Sequence, residues 1–310
     1  MFNALLRTLV YADLFDYALT AEEVWRYSIR EKSTAVEVKT ALTSAVRMGV
    51  VLQQDELFAL PGRAELFGVR LEREGFSSGL WPQAQQWGRV LAALPFVRLV
   101  AVTGALAMRN SASPRDDVDY LIVTVPGRVW LARALCVGVV HLARRFGVEL
   151  CPNYVLSNSA LAQSPRNLYI AHELAQMVPL SGFSVYQQMQ AANRWVGGFL
   201  PNHPFARSTP PLPPERPTYL QRAGEFLLPP PVATPLENWE QRRKQGKFQQ
   251  AAAHASAAQL DADRVKGHFN DHGAWVLAEY EARIEALLVY ADSSKRLVNC
   301  FEPSTIIAND

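Results

Sequence analysis

The sequence predicts an α+β protein of more than one domain, and three observations predict it. The first sixty residues hold three helix signals followed by short β-type runs. Between Val97 and Ser157 the pattern reads strand, gap, strand, helix, strand. Beyond Ser157, helical patterns alternate with proline-rich stretches. A chain of 310 residues, 49% hydrophobic and 19% charged, is well cored and has room for two or three domains.

At the N-terminus, Leu5, Leu9, Leu14 and Phe15 give one apolar helix face. Thr20-Ala-Glu-Glu is a capping box opening a second helix through Val24, Trp25 and Ile29. Ser33 to Glu37 opens a third, with Val36, Val38, Leu42, Ala45 and Val46 near helical spacing. After Gly49 come Val50-Val-Leu and Leu57-Phe-Ala-Leu, split by Gln53-Gln-Asp-Glu. Three helices and a two-stranded ribbon make the winged-helix plan, assigned to residues 1–62.

A helix over about Ala64–Glu74, a loop at Gly75–Gly79 and a second helix over Trp81–Leu94 lead into a buried strand, Val97–Thr103. Val118–Val125 is a second strand, Val129–Arg145 a helix and Val148–Ser157 a third strand. This order is the skeleton of a mixed-sheet core, placed at 63–160. The remainder, 161–310, reads as a helical region: Pro165–Val178, Val185–Phe199, a long alanine-rich helix Asn238–Arg264, and Ala274–Tyr290. Proline excludes Pro201–Pro217 and Leu228–Pro235 from helix and central strand, so both are read as extended linkers.

Several function classes are excluded by composition. A net charge of +2 provides no strong whole-protein field for nucleic acid or anionic membrane. Three cysteines, Cys136, Cys151 and Cys300, with no CxxC spacing, give neither a disulfide framework nor a zinc site. The N-terminus is interrupted by Arg7, Asp13 and Asp16. The most apolar window, Val129 to Ala143, contains Arg133 and His141, so no signal peptide or membrane span is read. The expected location is the cytoplasm.

The chemistry is concentrated in Val102-Thr-Gly-Ala-Leu-Ala, a spacer ending at Asp116, and Asp117-Val-Asp-Tyr-Leu-Ile-Val. Alternation along a strand puts Asp117 and Asp119 on one side and Val118 on the other. Two close carboxylates repel unless a cation lies between them, an arrangement suited to Mg²⁺. A glycine turn after the preceding strand offers backbone N–H groups to the phosphates of a nucleotide.

This run resembles the signature of the polymerase-β-type nucleotidyltransferase superfamily: hydrophobic strand, Gly-Ser, a gap of about ten residues, then Asp-hydrophobic-Asp. The wider context, with YADLFDYALTAEEVWRY ahead of the core and CPNYVLS, AHELAQMVPLSG and NRWVGGFLPN after it, resembles uncharacterised bacterial proteins that join a winged-helix-like segment to such a core. The resemblance implies an α+β, nucleotidyltransferase-type mixed sheet and Mg²⁺-dependent transfer of a nucleoside monophosphate from an NTP to a small-molecule, protein or RNA acceptor. Asp117 and Asp119 would bind the metal, and Thr103, Gly104, Ala105 and Arg109 the nucleotide.

Two departures bear on activity. The family serine after glycine is Ala105. A third carboxylate belongs on the third strand, and two residues compete for its place. Glu149 has the acidic chemistry; Asn153 has the more usual position but cannot act as a base. A catalytically silent binding or regulatory protein is therefore the main alternative. A winged-helix DNA-binding regulator is the other, opposed by a third helix with only Lys39 and Arg47 as cations and by Asp55 and Glu56 in the wing.

The remaining motifs take plainer readings. His268, Asp271 and His272 are read as a polar turn, His172-Glu173 as a solvated helix face, Trp195 as core, and the basic run Gln241–Lys247 as a solvated helix face.

Overall fold

The computed structural model describes residues 1–206, 215–252, 260–266 and 272–294. In chain order the elements are helix α1 (Phe2–Asp13), strand β1 (Leu19–Thr20), α2 (Ala21–Arg26), α3 (Ala35–Arg47), β2 (Leu52–Gln54), β3 (Leu57–Ala59) and α4 (Glu65–Ala92). Then come β4 (Val97–Val102), α5 (Gly104–Ala107), β5 (Val118–Thr124), α6 (Val129–Arg144), β6 (Leu150–Ser157), α7 (Leu168–Gln176), β7 (Val178–Ser181) and α8 (Phe183–Ala192). The last are α9 (Val196–Phe199), α10 (Tyr219–Leu227), α11 (Pro230–Ala252), β8 (Arg264–Lys266) and α12 (His272–Ser294). The protein is thus mixed α and β with two sheets. No helix among the described residues is long and apolar enough to cross a membrane.

The chain forms two compact units. Among the described residues the first comprises Met1–Arg70, Gly198–Pro204 and 273–294, and the second Leu71–Gly197 and those of Phe205–His272. In the first unit α2 and α3 both start at capping boxes. Thr20 Oγ1 accepts from Glu23 N at 3.2 Å while Glu23 Oε2 accepts from Thr20 N at 2.8 Å, and Thr34 and Glu37 repeat the exchange. The ribbon β2–β3 gains β1 as a third strand, in the order β1-β3-β2.

The segment 198–204 joins this unit because its buried Asn202 closes the open loop after α2. Its amide donates to Trp25 O at 3.0 Å and to Ser33 Oγ at 3.1 Å, and its carbonyl accepts from Ser33 N at 2.9 Å. Unmade, these groups would each cost a desolvation penalty. In α12, Arg283 pairs with the buried carboxylate of Asp13, and Tyr280 meets the Tyr11 ring edge-on at 5.8 Å.

The second unit is built on the sheet β7-β4-β5-β6-β8, in which β5 and β6 run parallel and the other neighbouring pairs antiparallel. One face packs on α4 and α6. Leu80, Ala84, Trp87 and Leu91 form a helical stripe against Val100, Val102, Val118, Tyr120 and Ile122. This stripe explains why α4 runs unbroken where a loop was expected at 75–79: the burial gained outweighs the cost of Gly75, Gly79 and Pro82 in a helix.

Two further expectations are corrected. The stretch after Leu228 is not a linker, because Pro230 and Pro231 occupy the first turn of α11, where no donor is required. α11 docks on α6 through buried Glu237, whose carboxylate accepts from Trp130 N at 2.9 Å and Leu131 N at 2.7 Å and so caps α6. The expected long helix does not reach Arg264, which belongs instead to edge strand β8.

Candidate functional site

β5 lies at the centre of the sheet, antiparallel to β4 and parallel to β6. The end of β4 and the starts of β5 and β6 therefore meet at one edge. Thr103 and Gly104 leave β4 there, Asp117 and Asp119 enter β5, and Cys151 and Asn153 lie at the start of β6. Val118, between the two acids, is fully buried on the opposite face, as strand alternation requires.

Thr103 N donates to Asp119 O at 3.0 Å, tying the turn to the strand. Gly104 has φ +65°, and a Cβ built on it would lie 2.3 Å from Asp119 Oδ2. Only glycine allows the backbone this close to the carboxylate. The following turn is capped by no side chain of Thr103, and Ala105 is exposed. The spacer is organised: Ser111 N donates to Ser77 Oγ at 3.0 Å, and Ala112 N to Asp116 Oδ2 at 2.8 Å.

On the other side, β6 pairs Cys151 with Asp119 and then Tyr154 with Leu121, so β6 carries one extra residue between these pairs. Such a bulge re-aims a side chain. Asn153 thereby donates its amide to Asp119 Oδ1, and its own oxygen accepts from Cys151 Sγ at 2.7 Å. Asp117, Asp119 and Cys151 bring ligand atoms within 4.8 Å of one another, forming the three-residue cluster of possible metal donors found among the described residues.

The expected third acid lies elsewhere. Glu149 precedes β6, is about half exposed, and pairs with Arg144 at 2.9 Å. The side chain that meets the Asp119 carboxylate is that of Asn153, the neutral candidate, and not that of Glu149. Arg109 has φ +55° and stacks its guanidinium over the Trp81 ring at 5.8 Å. None of its described contacts joins it to the acidic pair.

Electrostatics mark Asp119. Burial first, then the charge of Asp117, then that of Glu173, push its carboxyl up from 3.8 to about 8, against a lowering by the Asn153 hydrogen bond. A cation at this position would relieve the same strain. Burial, with the fields of Asp119 and Asp117, pushes the Cys151 thiol up to about 12. It is a thiol at neutral pH, a poor ligand for a hard cation. The donors suited to Mg²⁺ are the two carboxylates.

Glu173 on α7 is read from the sequence as part of a solvated helix face, with the edge of the cleft as the other reading. It is partly buried, its carboxyl is raised by burial with Lys266 of β8 acting the other way, and its field reaches Asp119. Its neighbour His172 was expected on a solvated face but is buried, with Nδ1 at 3.0 Å from Leu168 O. Burial lowers it to about 4, so it is a neutral core histidine at physiological pH. The only sequence signal for Glu173 was its place on an otherwise apolar helix. Of the cluster in the Gly267–Gly273 stretch, His268 and Asp271 lie outside the described residues, and His272 begins α12.

The chain matches no protein-family model, no curated protein and no solved structure. Function must therefore be argued from the site itself.

Proposed function

We propose that the second unit is a nucleotidyltransferase-type core that binds an NTP with Mg²⁺ and moves a nucleoside monophosphate to an acceptor. The carrying observation is the contact of Gly104 with Asp119: the glycine turn and the carboxylate couple are parts of one site. Asp117 and Asp119 are the residues that would hold the metal. When bound, Mg²⁺ would supply charge neutralisation for the phosphates. Ala105 is exposed, and the backbone N–H groups of the Gly104–Ala105 turn would meet phosphate oxygens. Asn153 fixes the orientation of the Asp119 carboxylate through its amide. The acceptor would be a small molecule, a protein or an RNA.

A second reading, a silent member that binds nucleotide without turnover, is favoured by specific observations. Asn153 cannot accept a proton from an attacking hydroxyl, Glu149 is engaged with Arg144, and Ala105 has no hydroxyl. Glu173 is the acid that could compensate, since its field already reaches Asp119. DNA binding through the first unit, with its winged-helix-like plan, is less well supported, because α3 exposes Val36 and the turn between β2 and β3 is Asp55-Glu56.

Calorimetric titration with each NTP, with and without Mg²⁺, on the wild type and on Asp117→Asn and Asp119→Asn tests the reading. Binding that needs Mg²⁺ and is lost in both variants supports it; no metal-dependent binding by the wild type rejects it. Release of pyrophosphate by the wild type, absent in Glu173→Gln, would favour turnover over silence.

A further inference from the structure

α10 is docked with its polar side inward. Gln221, buried, donates from its amide to Ala92 O at 2.8 Å and Val97 O at 2.9 Å. Glu225 accepts from Phe96 N at 2.9 Å and pairs with Arg98 at 2.9 Å, and Gly224 lies against Pro95. The outward face is apolar: Tyr219 is 89% exposed, Leu220 69%, Phe226 84% and Leu227 74%, with Ala223 exposed between them. At roughly 100° per residue these five positions fall within an arc of about 120°.

Exposure on this scale is unusual. The two aromatic rings alone present roughly 350 Å². With the two leucines the face reaches roughly 500–600 Å², the upper end of the largest apolar patch on a typical lone soluble protein, and patches of that size often serve binding. That is most of the roughly 800 Å² each partner contributes to a standard interface.

The spacing indicates which partner. Around Ala223 the large residues lie at minus four, minus three, plus three and plus four, so the face is symmetric about its only small residue. A two-fold axis through Ala223 that sets two copies of α10 antiparallel places Tyr219 against Phe226 of the other copy and Leu220 against Leu227. Each contact is then made twice, as an isologous interface demands. Ala223 at the crossing lets the two backbones approach. Arg222, about 100° round from Ala223, lies at the rim, and the inward-facing Glu225 is outside the contact.

We propose that the protein is a homodimer in solution, joined by the outward face of α10 about a two-fold axis at Ala223. Sedimentation equilibrium on the full chain at 1–50 µM tests it, with Leu220→Lys and Leu227→Glu as variants. Both side chains point to solvent in the single chain, so the far-UV spectrum and melting temperature of each variant are expected to match those of a wild-type sample dissociated by dilution.

The wild type should sediment as a dimer and each variant alone as a monomer, with dimer affinity lowered at least tenfold. An equimolar mixture of the two variants should recover a dimer. There the new lysine of one chain faces the new glutamate of the other, and the second contact remains Leu220 against Leu227. A monomeric wild type overturns the proposal, whether the face meets a different protein, a lipid surface or another part of the chain. A dimer that survives both substitutions, or a mixture that stays monomeric, overturns the pairing.

Discussion

Replacing Asp119 by asparagine should stabilise the protein, and should do so more strongly as the pH rises. In the folded protein burial and the neighbouring acids raise this carboxyl from 3.8 to about 8. Between those values the native state holds a proton that the unfolded chain has released, so the contribution of Asp119 to stability falls as pH rises through that window, and the whole cost is present above pH 8. At 1.36 kcal/mol per tenfold in proton affinity the ceiling is about 6 kcal/mol. Screening at a site open at one edge reduces this to about 2 kcal/mol. Asparagine keeps the shape and the oxygen that accepts from Asn153, but carries no charge.

The assay is urea unfolding in the presence of a chelator at pH 5, 6, 7 and 8.5, followed by far-UV circular dichroism. Asp119→Asn should be about 2 kcal/mol more stable than the wild type at pH 8.5, equivalent to roughly 4–8 °C in melting temperature for a domain of this size. The gain should shrink to about a third by pH 5, since most of the window between 3.8 and about 8 lies above that pH. Mg²⁺ should stabilise the wild type at pH 8.5 and not the variant. A variant no more stable than the wild type at pH 8.5, or a gain independent of pH, refutes the picture of a charge-strained carboxylate.

Three further outcomes follow from the packing. Gly104→Ala should weaken Mg²⁺-dependent NTP binding at least tenfold by calorimetry, because its Cβ would displace the Asp119 carboxylate, whereas Gly62→Ala, also at positive φ but with open space around it, should leave binding unchanged. Cys151→Ser should alter Mg²⁺ affinity less than about threefold, since a neutral thiol is not a hard-cation ligand; a tenfold loss would place sulfur in the donor set. Glu237→Ala should cost about 2–3 kcal/mol in denaturant unfolding by orphaning Trp130 N and Leu131 N, and a loss below about 0.5 kcal/mol would show that these donors find other partners.

The parts of the fold legible in the sequence are those decided by neighbours along the chain. The capping boxes at Thr20 and Thr34, the strands around Ala101 and Ile122 and the shared side of Asp117 and Asp119 all follow from local spacing. What the sequence hid depends on distant partners. The edge strands β7 and β8 have no strand-like run of their own and exist through pairing with β4 and β6. The return of Asn202 to the loop after α2 spans 169 positions to Ser33. The contact of Asn153 with Asp119 turned on one extra residue in β6, which periodicity cannot reveal because a bulge shifts the face without changing the composition. Pro230 and Pro231 misled because a proline in the first turn of a helix gives up no hydrogen bond, whereas Pro235 lies inside α11.

The most direct test of the metal–nucleotide site is a crystal structure of the protein grown with Mn²⁺ and a non-hydrolysable NTP analogue, read by the manganese anomalous signal. The site proposed here predicts a peak bonded at about 2.1 Å to carboxylate oxygens of both Asp117 and Asp119, with phosphate oxygens on the Gly104–Ala105 backbone. A nucleotide bound elsewhere, or no peak between the two aspartates at saturating Mn²⁺, would contradict it.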